Sequence, residues 1–168
     1  MADEHVSVLV FEIAGHRYGI ESARVQEIVR AVEPARLPRA PAVIAGVINV
    51  RGHVVPLVDL RARFGLAPAP LRPSEVFVLI PSGARLLAFR ADRALALARV
   101  DRAGIAPMTT TVPRASYAAG TAVLPDGVLL LCDIELFLDE AERATLDGAL
   151  RAHEESDERA EPVEGAAP

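Results

Sequence analysis

Residues 46–65, read as GVINVRGHVVPLVDLRARFG, constrain the chain more than any other stretch. Val47, Ile48, Val50, Val54, Val55, Leu57 and Val58 are the β-branched and aliphatic residues of a mostly buried sheet, and Gly46 and Gly52 permit a bend or a close backbone approach. The pattern predicts strands over 46–51 and 54–58, with Asn49 and Arg51 on one face. Strong donors in so apolar a stretch have two readings. Either Asn49 bonds nearby backbone and Arg51 lies along the surface, or the pair belongs to a binding surface. Asp59 is placed to cap a single helical turn through Phe64, and Gly65 to stop it.

Short apolar segments separated by turn residues recur along the chain. Val6 to Ile13 and Tyr18 to Ile20 flank Gly15-His16 in the manner of a β-hairpin. Val25, Ile28, Val29 and Val32 match a helical i, i+3, i+4, i+7 template, so periodicity alone favours a helix there. Pro34, Pro38 and Pro41 keep the next segment extended or turning, and Pro68, Pro70 and Pro73 suggest a boundary between two β-rich halves. Further strands are expected near 76–80, 85–90, 94–100, 119–124 and 128–132, with turns at 81–84 and 125–127. Residues 101–117 read as a surface loop. From Asp133 the spacing of Ile134, Phe137, Leu138 and Ala141 suits an amphipathic helix over 133–150, and the acidic residues 151–168 are expected to be disordered.

The composition narrows the function classes. The chain has 168 residues, 51% of them apolar, which is enough for one domain or two small subdomains with a real core. Residues 139–168 hold ten acidic residues against three arginines, so the body is nearly neutral within a total charge of −5. A neutral body with few aromatics argues against nucleic acid as a partner. No apolar run approaches the roughly 20 residues of a membrane-spanning helix, and an acidic Met1-Ala2-Asp3-Glu4 is unlike a secretory signal. Membrane insertion is not expected, and the cytoplasm is the expected location. His5, His16, His53 and His153 lack the spacing of a metal site, Cys132 reads as a small core hydrophobe, and no nucleophile elbow or phosphate-binding glycine loop occurs. Catalysis, cofactors and metals are therefore not expected.

Asn49-Val50-Arg51-Gly52, followed by Pro56 and Leu57-Val58-Asp59-Leu60-Arg61, resembles the central signature of the CheW-like domain, the coupling module of bacterial chemotaxis. Upstream, Arg17-Tyr18-Gly19-Ile20, Val25-Gln26-Glu27-Ile28-Val29 and Leu37-Pro38-Arg39-Ala40-Pro41 stand at matching distances. Downstream, Tyr117-Ala118-Ala119-Gly120 and Val128 to Leu138 are similar to the family's closing strands and last helix. The resemblance covers roughly residues 6–150. It implies a mainly β fold, two small SH3-like five-stranded barrels packed together with a C-terminal helix. The first barrel would span about 15–70 plus strand 6–13, and the second about 74–132. It also implies a helical turn near Glu21 to Arg24 followed by a strand, against the helical periodicity of 25–32.

By the same resemblance Val25, Glu27, Gly46, Asn49, Arg51 and Gly52 belong to a partner-binding surface. The partners implied are the cytoplasmic tip of methyl-accepting chemoreceptors and the regulatory domain of the histidine kinase CheA. Two alternatives stand beside this adaptor reading: an auxiliary adaptor or inhibitor that holds one partner in a non-motility pathway, and, more remotely, a β-barrel that binds a small molecule.

Overall fold

A computed structural model of the chain describes residues 4–107 and 118–160. It is mainly β, with eleven strands in two sheets and a C-terminal helix. The N-terminal hairpin pairs β1 (His5–Ile13) with β2 (His16–Glu21). A 3-10 turn, Ser22–Arg24, leads into β3 (Glu27–Arg30). The hairpin of β4 (Ile44–Val50) and β5 (His53–Val58) precedes the short helix α1 (Leu60–Phe64). Then come β6 (Val76–Ser82), β7 (Arg85–Ala91), β8 (Arg93–Asp101), β9 (Ile105–Pro107), β10 (Ala118–Leu124), β11 (Gly127–Cys132) and α2 (Glu140–Ala160).

Local chemistry accounts for most of these boundaries. The Asp59 carboxylate accepts from the Arg61 N–H at 3.0 Å, and Gly65 ends α1 in the left-handed conformation. Residues 25–32 contain the expected strand, Glu27–Arg30, and not the helix of their periodicity, because β3 lies against β6 with Glu27 opposite Leu79 and Arg30 opposite Val76. Tertiary pairing overrides the local pattern here.

The division into barrels differs from expectation. One sheet has five strands in the order β3-β6-β7-β5-β4, and the other has six in the order β8-β1-β2-β11-β10-β9. The strands of 76–91 thus complete the sheet begun by 27–58, and the N-terminal hairpin joins 93–132. A split into 15–70 and 74–132 is therefore incorrect. The proline-rich segment 68–73 links two elements of the same sheet, and the real crossings are at 22–26 and at Asp92. One parallel pairing stitches each sheet together, β2 with β11 in the six-stranded sheet and β5 with β7 in the five-stranded one.

Each sheet curls around a small apolar cluster, Val8, Val10 and Leu129 in one and Ile48, Val55 and Phe77 in the other. The largest core lies between them. Phe11, Phe89 and Phe137 are fully buried there, with ring centroids 4.9 Å apart for Phe11 and Phe89 and 5.7 Å for Phe89 and Phe137. Each such side chain contributes about 1.5–3 kcal/mol through burial, so the two sheets form one folding unit. Cys132 is buried in this core, and burial aided by the neighbouring Asp133 carboxylate pushes its thiol far above the usual range.

The crossing at Asp92 is polar. Its carboxylate takes two bonds from the Arg61 guanidinium, 3.0 and 2.9 Å, and one from the Ala14 N–H at 2.8 Å, while its own N–H donates to the Glu12 carbonyl at 2.8 Å. Beside it Arg90 pairs with Glu75, whose side chain is 4% exposed.

The C-terminal helix also departs from expectation. Asp133 caps a 3-10 turn, Ile134–Leu136, and α2 begins only at Glu140. The reason is a reciprocal cap: Asp139 Oδ1 accepts from the Glu142 N–H at 2.7 Å and Glu142 Oε1 from the Asp139 N–H at 3.0 Å. Leu146, Ala149 and Leu150 pack on the core, and the helix then continues through residues expected to be disordered. Residues 151–160 are rich in Ala, Arg and Glu, which propagate a nucleated helix at little cost. Residues 161–168 lie outside the described residues, as do 108–117 of the expected loop. Its first part instead forms the 3-10 turn Arg102–Gly104 and β9.

Three outcomes are expected. Asp92→Ala lowers stability by about 2–4 kcal/mol, read as a shift in the urea midpoint, because Arg61 keeps a half-desolvated charge without its partner. Deleting 152–168 reduces helical ellipticity but changes stability by no more than about 0.5 kcal/mol, since none of its described residues belongs to the core. Cys132 does not react with an aromatic disulfide reagent in the native protein and reacts fully in denaturant. A native reaction at the rate of an exposed thiol contradicts that burial.

Candidate functional site

The β4–β5 hairpin closes with the two-residue turn Arg51-Gly52, and both residues have positive φ, +49° and +84°. That is the backbone of a type I′ turn, whose twist matches the flanking strands. Arg51 therefore sits at the tip and not on the strand face expected for it. Asn49 secures the turn, its Oδ1 accepting from the Gly52 N–H at 2.9 Å. The local-bonding reading thus holds for Asn49, although its side chain stays exposed.

Arg51 reaches across to β3. Its guanidinium donates to both carboxylate oxygens of Glu27, with Nη1 to Oε1 at 2.8 Å. The two residues belong to opposite edges of the five-stranded sheet, so this fork-to-fork pair joins the edges at one end of the curled sheet. Lower down, the segment that follows β3 meets β4 through backbone, Ala35 and Val47 exchanging two bonds of 2.8 Å. The hydrogen bonds from Arg51 hold the Glu27 carboxyl below its usual value, and Glu27 raises Arg51 in turn. The pair is intact above the ordinary glutamate range and opens only as pH falls through that lowered value.

The other expected site residues play different parts. Gly46 is buried, with φ +150°, and a side chain there would run into the Ala35 carbonyl oxygen and lie 3.1 Å from the Pro34 Cβ. It permits the close approach of 34–36 to β4 and lies beneath the exposed tip. Val25 is half-buried against the inter-sheet core, while Gln26 and Ile28 alternate outward from β3. The structure brings Glu27, Asn49, Arg51 and Gly52 to one tip and leaves Gly46 below it.

A hollow of about 500 Å³ lies beside this tip, lined by Gln26, Val50, Arg51, His53, Val54 and Leu86. Gln26, Val54 and Leu86 were not singled out in the sequence. A two-residue turn at Arg51-Gly52 would have revealed Val54, since it fixes Val54 opposite exposed Asn49. Among the described residues no group of His, Cys, Asp or Glu is arranged to hold a metal ion, and no helix is long and apolar enough to cross a membrane. The tip offers a charge-paired rim around a partly apolar hollow, which is the chemistry of a docking surface.

Comparison with known proteins gives the family. The chain is similar to chemotaxis protein CheW of Klebsiella aerogenes, 29% identical over 147 residues, 86% of this chain and 89% of that protein. It is 27% identical over 146 residues to chemotaxis protein CheW of Treponema pallidum, covering 83% and 86%. The crystal structure of the scaffolding protein TtCheW from Thermoanaerobacter tengcongensis shares its fold, with a TM-score of 0.73, 24% identity, and coverage of 82% of this chain and 90% of that one. The CheW-like domain profile matches residues 7–142, and the chain belongs to the CheW-like family of chemotaxis adaptor proteins.

Proposed function

We propose that the protein is a non-enzymatic cytoplasmic adaptor that couples the cytoplasmic tips of chemoreceptors to the histidine kinase CheA. The observation that carries this reading is the Glu27–Arg51 pair at the rim of the hollow. Residues 24 positions apart in sequence are held together at an exposed hairpin tip, in the motifs that carry the family resemblance. Arg51 is 66% exposed in its side chain although paired, so a guanidinium edge remains available to carboxylates or backbone carbonyls of a partner. Val54 and Ile28, 37% and 41% exposed, supply apolar contact nearby. A receptor tip docks against this rim, Val25 supports it from beneath, and CheA binds a second surface. Recruitment to receptor arrays follows from the first contact.

The test separates bracing from binding. Arg51→Ala weakens binding to a receptor-tip fragment by at least about tenfold, as expected for an interface arginine, and leaves the melting temperature nearly unchanged. Glu27→Lys impairs binding to a similar extent by charge reversal. The double variant Glu27→Arg with Arg51→Glu re-forms the ion pair in reverse and still fails to bind. Recovery of binding in the double variant would show that the pair only braces the sheet edges. Normal binding by Arg51→Ala would remove the tip from the interface.

A further inference from the structure

A second cavity, about 550 Å³, opens between the middle of α2 and the β6–β7 turn. Its floor is apolar, formed by the buried Leu87, Leu138 and Leu146. Its rim is arginine: Arg85 from the turn, and Arg143 and Arg151 two helical turns apart on α2. Arg143 is held in place from two sides, Nη1 donating to the buried Ser82 Oγ at 2.9 Å and Nη2 to the Glu135 carbonyl at 3.1 Å. Arg85 pairs with Asp147. The Arg151 guanidinium bonds only the Asp147 carbonyl, at 3.4 Å, and among the described residues it has no carboxylate at ion-pair distance. Asp147 in the lining and Glu135 beside Arg143 offset two of the three positive charges, so the rim keeps a positive excess in a protein whose total charge is −5.

We propose that this cavity binds an organic phosphate, a small molecule that joins a phosphate group to an apolar or planar body. The forked, permanently charged guanidinium matches the oxygens of a phosphate, and Arg143, already oriented by Ser82, meets it without ordering a free side chain. Arg151 supplies the unpaired charge. The leucine floor receives the body of the ligand, and the cavity volume lies in the range of small-molecule sites. A bare inorganic ion would leave that floor uncovered and binds more weakly. The site shares Arg85 with the hollow beside the hairpin tip but uses neither Glu27 nor Arg51, so variants of Arg143 and Arg151 test it apart from the receptor-docking reading.

Calorimetric titration of the full chain at low salt tests it with three probes: ATP, inorganic pyrophosphate and adenosine. The expected result is a single saturable site for ATP, weaker binding of pyrophosphate, and none of adenosine. Arg151→Ala and Arg143→Gln each reduce ATP affinity by about tenfold, the usual loss for one charge-assisted contact. Arg159→Ala, which removes the same charge from the exposed end of α2, changes nothing. Arg151 is exposed, so its variant folds normally, and a melting curve confirms this for Arg143→Gln. Absence of saturation by either polyphosphate across the millimolar range overturns the proposal. So does adenosine binding as well as ATP, or an equal loss of affinity in Arg159→Ala.

Discussion

The rest of the structure hangs on the point where the chain passes from one sheet to the other at Asp92. The six-stranded sheet is split in sequence, its first two strands preceding and its last four following the stretch 27–91 that forms the five-stranded sheet, so the relative placement of the two depends on what happens at the crossings. At Asp92 a single carboxylate gathers α1 through Arg61 and the β1–β2 turn through the Ala14 N–H, and the backbone donates to Glu12. An ion pair with side chains 13% and 25% exposed sits where water screens weakly, and Arg61 Nη2 holds the carboxylate by both of its oxygens. The aromatic core behind it is the largest of the three apolar clusters, and Asp92 fixes the chain where it passes from one sheet to the other.

That frame gives the hairpin tip its character. The type I′ turn is short and twisted to match its strands, Asn49 locks it, and Gly46 lets the chain after β3 hydrogen-bond directly to β4. Arg51 holds a left-handed backbone conformation that costs a non-glycine residue on the order of 1–2 kcal/mol. The surrounding hairpin and the bidentate bond to Glu27 offset that cost. The tip is therefore preorganised, and a partner that docks on it meets side chains already in position, which lowers the entropy lost on binding.

What was legible in the sequence was what local chemistry decides. Asp59 and Gly65 bracket α1 as read, the turns at 81–84 and 125–127 fall where expected, and the mainly β character followed from short apolar segments. What was not legible was partnership over distance. Nothing in residues 76–91 says that they pair with 27–30 and 57–58, so prolines 68–73 looked like a boundary when they are only a link. The start of α2 is legible in the capping-box spacing of Asp139 and Glu142, but Asp133 offers an earlier cap that competes with it. The acidic residues 151–160 show that charge alone does not exclude helix when strong helix formers follow a packed turn. Within the site, Glu27 and Arg51 were identified one by one. Their direct contact required the curled sheet, which brings opposite edges together.

The most direct test of the central claim follows the backbone amides of the isotopically labelled protein by NMR as a receptor-tip fragment is added. The account predicts that the amides of Gln26, Glu27, Asn49, Arg51, Gly52 and Val54 shift first and together, while Ala14, Arg61 and Asp92 at the sheet junction stay in place. Shifts that spare the hairpin tip and gather on the β10–β11 hairpin or on α2 would contradict it.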